Sequence, residues 1–239
     1  MRCSVLLLLA ALSACVDTSA GPGLTGRVRL VNVMVDDSQL PVDVYLDGEA
    51  FGKSLVFGAS TPAVLPPPAT AIYRTLPWGG HNFTLRQSAD SDVVVSQYAF
   101  AIEATGDITF YATGIGGFTG FQTFDDNRDA PAGSVRLRVV NLSAFAGAID
   151  VFVTAQGADL AAATPNMIDV FTNSPSEYFS VPGGTWQFRA VRAATAAADR
   201  ATNVVLNLSS QNWPGGGRTI VLADASNFLF ARGVVVTDQ

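Results

Sequence analysis

The feature that most constrains this chain is an internal repeat. Arg29-Leu30-Val31-Asn32 opens one segment and Arg138-Val139-Val140-Asn141 opens another; Val42-Asp43-Val44-Tyr45 then answers to Ile149-Asp150-Val151-Phe152. Tyr73 precedes Leu76-Pro77-Trp78-Gly79-Gly80-His81-Asn82-Phe83, and Tyr178 precedes Val181-Pro182-Gly183-Gly184-Thr185-Trp186-Gln187-Phe188, with the same spacing from tyrosine to proline. Asp107-Ile108-Thr109-Phe110-Tyr111-Ala112 aligns with Arg218-Thr219-Ile220-Val221-Leu222-Ala223, and the tail Val236-Thr237-Asp238-Gln239 echoes Gln122-Thr123-Phe124-Asp125. Matched blocks in one order mark a duplication, so the fold of one copy predicts the fold of the other.

Each block carries the signature of a strand. Val28-x-Leu30-x-Asn32, Val42-x-Val44-x-Leu46 and Phe83-x-Leu85 alternate apolar with polar, the period of a half-buried strand. The Pro-Gly-Gly segments supply turn chemistry, since proline sets φ and glycine tolerates positive φ. Short strands punctuated this way, without sustained helical periodicity, predict an all-β protein: two tandem antiparallel Ig-like or transthyretin-like β-sandwich domains. The Ala-rich stretch Ala190–Ala201 reads as a longer hairpin connection with room for a helical turn. Asp, Pro and Gly between Phe124 and Gly133 mark a linker. The expected organisation is a signal peptide over 1–14, a flexible tether over 15–25, a first sandwich over 26–122, a linker over 123–132 and a second sandwich over 133–239.

The N-terminus reads as an export signal. Arg2 is followed by an apolar run from Val5 to Leu12, far short of the roughly 20 residues a membrane-spanning helix needs. Leu12-Ser13-Ala14-Cys15 resembles the lipobox of bacterial lipoproteins. That resemblance implies cleavage before Cys15 and lipid attached to its thiol and new amine, giving a membrane partner through lipid. Two acyl chains already suffice for stable anchoring. Val16, in place of an aspartate after the cysteine, leans towards the outer membrane. Gly21-Pro22-Gly23 suits a flexible tether.

Composition closes several other routes. Loss of Arg2 with the signal leaves 13 basic against 20 acidic residues, and no basic run exists, so a nucleic-acid partner lacks its main electrostatic term. Cys3 and Cys15 are the two cysteines. A mature chain starting at Cys15 therefore has no partner for a disulfide and too few thiolates for a structural zinc.

An Arg-x-Val-Asn opening, a Val-Asp-Val-Tyr strand, a tyrosine before Val-Pro-Gly-Gly-Thr and an Asp-Asn-x-x-x-Pro joint resemble domain of unknown function 4397. Proteins of that family carry tandem copies and are secreted or lipid-anchored in bacteria, and the resemblance covers nearly all of the mature chain. It implies a fold and lends no catalytic residue. The first copy departs from the pattern in Pro66-Pro67-Pro68 and in Trp78, which sits inside the Pro-Gly-Gly turn.

Few residues of the chain could carry chemistry. His81 is the one histidine, no Gly-x-Ser-x-Gly elbow accompanies it, and its repeat mate is Trp186, so packing is the expected role. Gly114–Gly120 lacks both the spacing and the following helix of a phosphate loop. Asp125-x-Asn127-x-Asp129 begins like a calcium loop but has Ala130 and Arg136 where Gly and Glu belong. An EF-hand is excluded; a looser calcium site at the joint stays open beside a solvated acidic linker. Asp43 and Asp150 occupy equivalent positions and suggest a shared structural hydrogen bond. Trp78 and Trp186, with Trp213, are candidate ligand-facing aromatics, although tryptophans beside turns are more often packing residues.

The expected function is a non-enzymatic cell-envelope lipoprotein, a scaffold or interaction module, with no cofactor and no metal. The alternative is an extracytoplasmic carbohydrate- or peptide-binding accessory protein, its partner an envelope protein or glycan.

Overall fold

Period-two alternation places Val28 and Leu30 on one side of the first strand and Arg27, Arg29 and Val31 on the other, and that division organises the molecule. In the computed structural model of the chain, the residues described are 23–35, 41–61, 73–114, 119–124, 129–225 and 230–238. The first half contains β1 (Thr25–Asn32), β2 (Val42–Leu46), β3 (Glu49–Leu55), β4 (Arg74–Pro77), β5 (Gly79–Gln87), β6 (Val94–Ile102), β7 (Gly106–Thr113) and β8 (Thr119–Phe124). The second contains β9 (Ser134–Leu142), β10 (Ile149–Thr154), β11 (Met167–Val170), β12 (Ser174–Pro175), β13 (Phe179–Pro182), β14 (Gly184–Arg192), β15 (Val204–Trp213), β16 (Gly216–Asp224) and β17 (Ala231–Thr237).

Each half builds two sheets that face one another. In the first the orders are β4-β1-β7-β8 and β3-β2-β5-β6; in the second, β12-β9-β16-β17, with β13 also on β9, and β11-β10-β14-β15. All ladders are antiparallel except two. β1 runs parallel to β7, and β9 runs parallel to β16. The expected all-β sandwich architecture is therefore present, with one parallel pair at the centre of each half.

Between the facing sheets lie two separate cores. Val28, Leu30, Val44, Phe83, Leu85 and Phe110 fill the first; Leu137, Val139, Val151, Phe188, Ile220 and Leu222 fill the second. A third cluster was not legible in the alternation. Val31, Val33, Val35 and Tyr111 of the first half pack on Val140, Leu142, Val221, Ala223 and Val236 of the second. The two central sheets thus meet back to back, and four sheets stack in the order first outer, first inner, second inner, second outer.

This corrects the expectation of half-buried strands for the central ones. β1, β7, β9 and β16 are buried on both faces along most of their length, because each covers the other half's inner sheet.

The ladders also correct the alignment of the last repeat blocks. Arg29 pairs with Thr109 and Arg138 with Thr219, so Thr109 corresponds to Thr219 and not to Ile220. A slip of one residue would swap the two faces of the strand. The same reasoning moves the tail: Thr109 pairs with Thr123 and Thr219 with Val236, so Val236 corresponds to Thr123 rather than Gln122. Ala190 to Arg192 belong to β14, and a 3₁₀ turn follows at Ala197–Thr202 within the long connection to β15.

Candidate functional site

The repeated motif residues take structural jobs, and the arginines, tyrosines and threonines among them meet at the seam between the halves. Arg29 and Arg138 point from the inner sheets into the seam and are almost wholly buried. The Arg29 guanidinium lies 4.9 Å from the Tyr73 ring and donates through Nε to Thr109 Oγ1 at 2.7 Å. That of Arg138 lies 4.7 Å from the Tyr178 ring and donates through Nη2 to Thr219 Oγ1 at 3.0 Å. The repeated arginine and tyrosine are therefore one device, a cation held over an aromatic face where water is excluded.

Asp238 links the two arginine sites. Its Oδ1 accepts from Arg29 Nη2 at 2.6 Å, and its Oδ2 accepts from Thr219 at 2.8 Å and from Tyr178 at 3.2 Å. Arg29 also donates to the Thr237 carbonyl at 2.6 Å. Neither the Arg29 nor the Asp238 side chain has any exposed surface. Burying an ion pair is costly unless the remaining donors and acceptors are met, which this network does. No sequence signal singles out Asp238, since its partners lie on β1, on β16 and just before β13.

The repeated asparagine ties inner sheet to outer sheet. Asn32 Nδ2 donates to the Leu55 carbonyl at 2.9 Å, and its Oδ1 accepts from Met34 N at 3.1 Å. Asn141 repeats both bonds, to Val170 at 3.0 Å and from Ser143 N at 3.2 Å. The repeated aspartate works one residue away. Asp43 Oδ1 accepts from Ser54 N at 2.9 Å, and Asp150 Oδ1 from Asp169 N at 3.1 Å. Ser54 and Asp169 both adopt positive φ, 51° and 54°. Each carboxylate holds a backbone turn that a side-chain-bearing residue seldom takes. The shared structural bond expected for this pair is thus at equivalent atoms in both halves.

Asp43 also receives Lys53 Nζ at 2.6 Å and Ser88 Oγ at 2.6 Å. Burial pushes its carboxyl upward, but the Lys53, Ser54 and Ser88 bonds outweigh that and hold it below its ordinary value. Lys53 moves the other way, raised by its bonds to Asp43 and the Tyr45 hydroxyl.

His81 has both ring nitrogens engaged. Nδ1 meets Asp47 Oδ2 at 2.7 Å and Nε2 meets the Pro77 carbonyl at 2.9 Å. Neither nitrogen is left over for a substrate or a metal. The equivalent Trp186 makes the same contact, its Nε1 donating to the Pro182 carbonyl at 2.8 Å. The indole is hooked to its own turn, and Trp213 is buried, so neither joins Trp78 in an aromatic row. Trp78 alone among the three is exposed, at 40%.

A shallow cavity of about 410 Å³ lies at the joint, lined by Asp129–Ser134 with Gly215 and Gly216. Asp129 is its one carboxylate; Asp125 and Asn127, the rest of the loose calcium site left open by the sequence, lie outside the described residues, as do Cys15, the signal peptide, most of the tether and Pro66-Pro67-Pro68. Among the described residues no group of three or more His, Cys, Asp or Glu side chains could hold a metal ion. None of the described helices is long and apolar enough to cross a membrane.

The family model for domain of unknown function 4397 matches residues 26–152, just over half of the chain. The chain belongs to this family. The match takes in the first half, β9 and most of β10, and so spans the Arg, Asn and Asp motif positions of both halves. No curated protein matches the chain. Among solved structures, a leucine-rich repeat protein from Bacteroides thetaiotaomicron aligns at 11% identity over 80% of this chain and 24% of its own, with a TM-score of 0.21, too low to support any inference.

Proposed function

We propose that this member of the 4397 family is a non-enzymatic lipoprotein of the bacterial cell envelope, in which two tandem copies of the domain act as a rigid scaffold or interaction module. On this reading the chain is cleaved before Cys15, lipidated there, and held on the outer membrane more readily than the inner.

One observation carries the scaffold reading. Repeated residues are spent on holding the halves together: Arg29, Tyr73, Thr109, Arg138, Tyr178 and Thr219 form a buried seam that Asp238 closes. Flexibly linked sandwiches would leave those sheet faces to solvent. A welded stack is suited to presenting surfaces at a set distance. The anchor reading rests on Leu12-Ser13-Ala14-Cys15 and on spacing, since Cys15 to Leu24 reaches about 30 Å at most when fully extended.

The deciding experiment is Cys15→Ser in a lipoprotein-processing bacterium. Metabolic labelling with a fatty acid and detergent phase partitioning should both be abolished. A Cys15→Ser chain that still partitions with detergent rejects the anchor.

A further inference from the structure

The two halves share a hydrogen bond that leads to an unexpected surface. Gly183 N donates to the Gly133 carbonyl at 2.8 Å, joining the Pro-Gly-Gly turn to the residue just before β9. In the first half the equivalent bond runs from Trp78 N to the Leu24 carbonyl at 3.1 Å. Two glycines of one half are thus replaced by leucine and tryptophan in the other, side by side and both exposed, at 45% and 40%.

Packing explains why the second half could not carry the same pair. A Cβ on Gly183 would lie 2.9 Å from the Pro214 carbonyl oxygen, in the short Pro214-Gly215 connection between β15 and β16. The first half connects β6 to β7 through Glu103-Ala104-Thr105, one residue longer, and Trp78 has room to project. The turn itself does not need the indole, since its backbone bond is made equally by glycine. Scattered surface hydrophobics need no explanation. A bonded Leu–Trp pair at positions where the fold accepts glycine is a different matter.

Position supplies the partner. Leu24 is the last residue before β1, and the chain runs back from it through the tether to Cys15. This end of the molecule is therefore the end nearest any membrane to which Cys15 is attached, within about 30 Å of it along the chain. Tryptophan favours the boundary between acyl chains and headgroups, where its ring is apolar and its N–H stays wet. We propose that Leu24 and Trp78 form a second contact with the bilayer, an interfacial foot that sets the orientation of the stack relative to the membrane. The proposal rests on the lipid-anchor reading. Asp47 and Glu103 on the neighbouring connections are acidic, so the foot suits a zwitterionic surface rather than an anionic one.

The test uses the full lipidated chain in phosphatidylcholine vesicles, with and without lipid brominated near the top of one acyl chain, which quenches tryptophan only at contact depth. Wild type is expected to lose part of its indole emission in brominated vesicles, and Trp78→Gly, carrying the residue of the other half, is expected to lose that quenching while melting at the same temperature. Equal quenching in wild type and Trp78→Gly would overturn the foot, as it would assign the contact to Trp186. Absent quenching with acylated Cys15, seen by mass, overturns the foot alone. A Cys15 without acyl mass overturns anchor and foot together.

Discussion

The two halves share one frame and treat their outer sheets in opposite ways. In the second, β10 and β11 are joined by a long connection, residues 155–166, that folds back over the outer sheet. Leu160 and Ala163 pack on Phe152 and Val191 as a small separate cluster. Arg200 stacks 5.1 Å from the Phe152 ring and donates to the Leu160 and Ala163 carbonyls, while Arg189 donates to the Ala158 carbonyl. In the first half, β2 and β3 are joined by Asp47-Gly48, both at positive φ, the two-residue hairpin of an Asp-Gly pair. Tyr45, at the position of Phe152, has no such cover and is flanked by Lys53 and Arg86.

The difference teaches where each half gets its stability. The first packs its interior with rings: Phe83 contacts Phe51, Phe100 and Phe110 at centroid distances of 6.1, 4.8 and 5.2 Å. The second sets mostly aliphatic side chains around Phe188 and Trp213 inside and adds a covered layer outside. A tight turn leaves a bare, polar face; a long one supplies its own lid. The cost of the long turn is modest, since loop-closure entropy grows only slowly with length.

The largest effect should come from the seam that makes the comparison possible. Arg29→Met leaves the Asp238 carboxylate buried without its cation and should cost about 3–5 kcal/mol, read from the urea midpoint. Adding Asp238→Asn should return part of that loss. An unchanged midpoint for Arg29→Met would mean the halves stand without each other.

Next is the lid. Leu160→Ala should cost about 2–3 kcal/mol by opening the cluster over Phe152. Tyr45→Ala, at the matching place on the bare face, should cost less, about 1 kcal/mol for a partly exposed ring beside a cation. Equal losses would show the two faces to be energetically alike.

Acid should act on the first half through its outer sheet. Asp43 and Asp47 both sit below their ordinary value of 3.8: burial pushes each up, and bonds from Lys53, Ser54 and Ser88 to one, and from His81 and Asn82 to the other, push further down. A carboxyl depressed by folding contributes stability above its unfolded value and loses it as pH falls through the folded one. Amide spectra should therefore show β2, β3 and β5 loosening as the pH drops below about 4. Loosening that begins in β9 and β16 would contradict this. The contribution of Lys53 to Asp43 is small because the Lys53 side chain is nearly half exposed to solvent.

The smallest effect tests the match between the turns. Exchanging His81 for Trp and Trp186 for His keeps a ring N–H within reach of the proline carbonyl four residues back. The double exchange should cost about 1 kcal/mol, because it gives up the bond from His81 Nδ1 to Asp47. A large loss would show that the two rings are held for different reasons.

Much of this was legible beforehand, and the gaps have physical causes. Arg29 and Arg138, Asn32 and Asn141, Asp43 and Asp150, and Tyr73 and Tyr178 stood out because equal backbone geometry demanded equal residues twice. Their roles did not, because a role is a contact between residues distant in sequence, such as Asn32 with Leu55 or Arg29 with Asp238. The sequence aligns the block ending at Ala112 one residue off, because runs of apolar residues match well in either register. The parallel ladders with β1 and β9 decide it. The segment 155–166 reads as a plain Ala- and Pro-containing loop, and nothing in it announces that Leu160 covers a sheet.

By itself, the sequence determined the class of this protein: strands by alternation, turns by proline and glycine, two like halves by repetition. These are short-range properties, set by backbone dihedrals and by which side of a strand a side chain faces. The tertiary structure alone decided that the inner sheets are buried on both faces, that Asp238 closes the seam, and that Leu24 and Trp78 stand exposed where their counterparts are glycines. Those outcomes depend on what lies across the gap from a residue, and no local pattern in the chain encodes that neighbour.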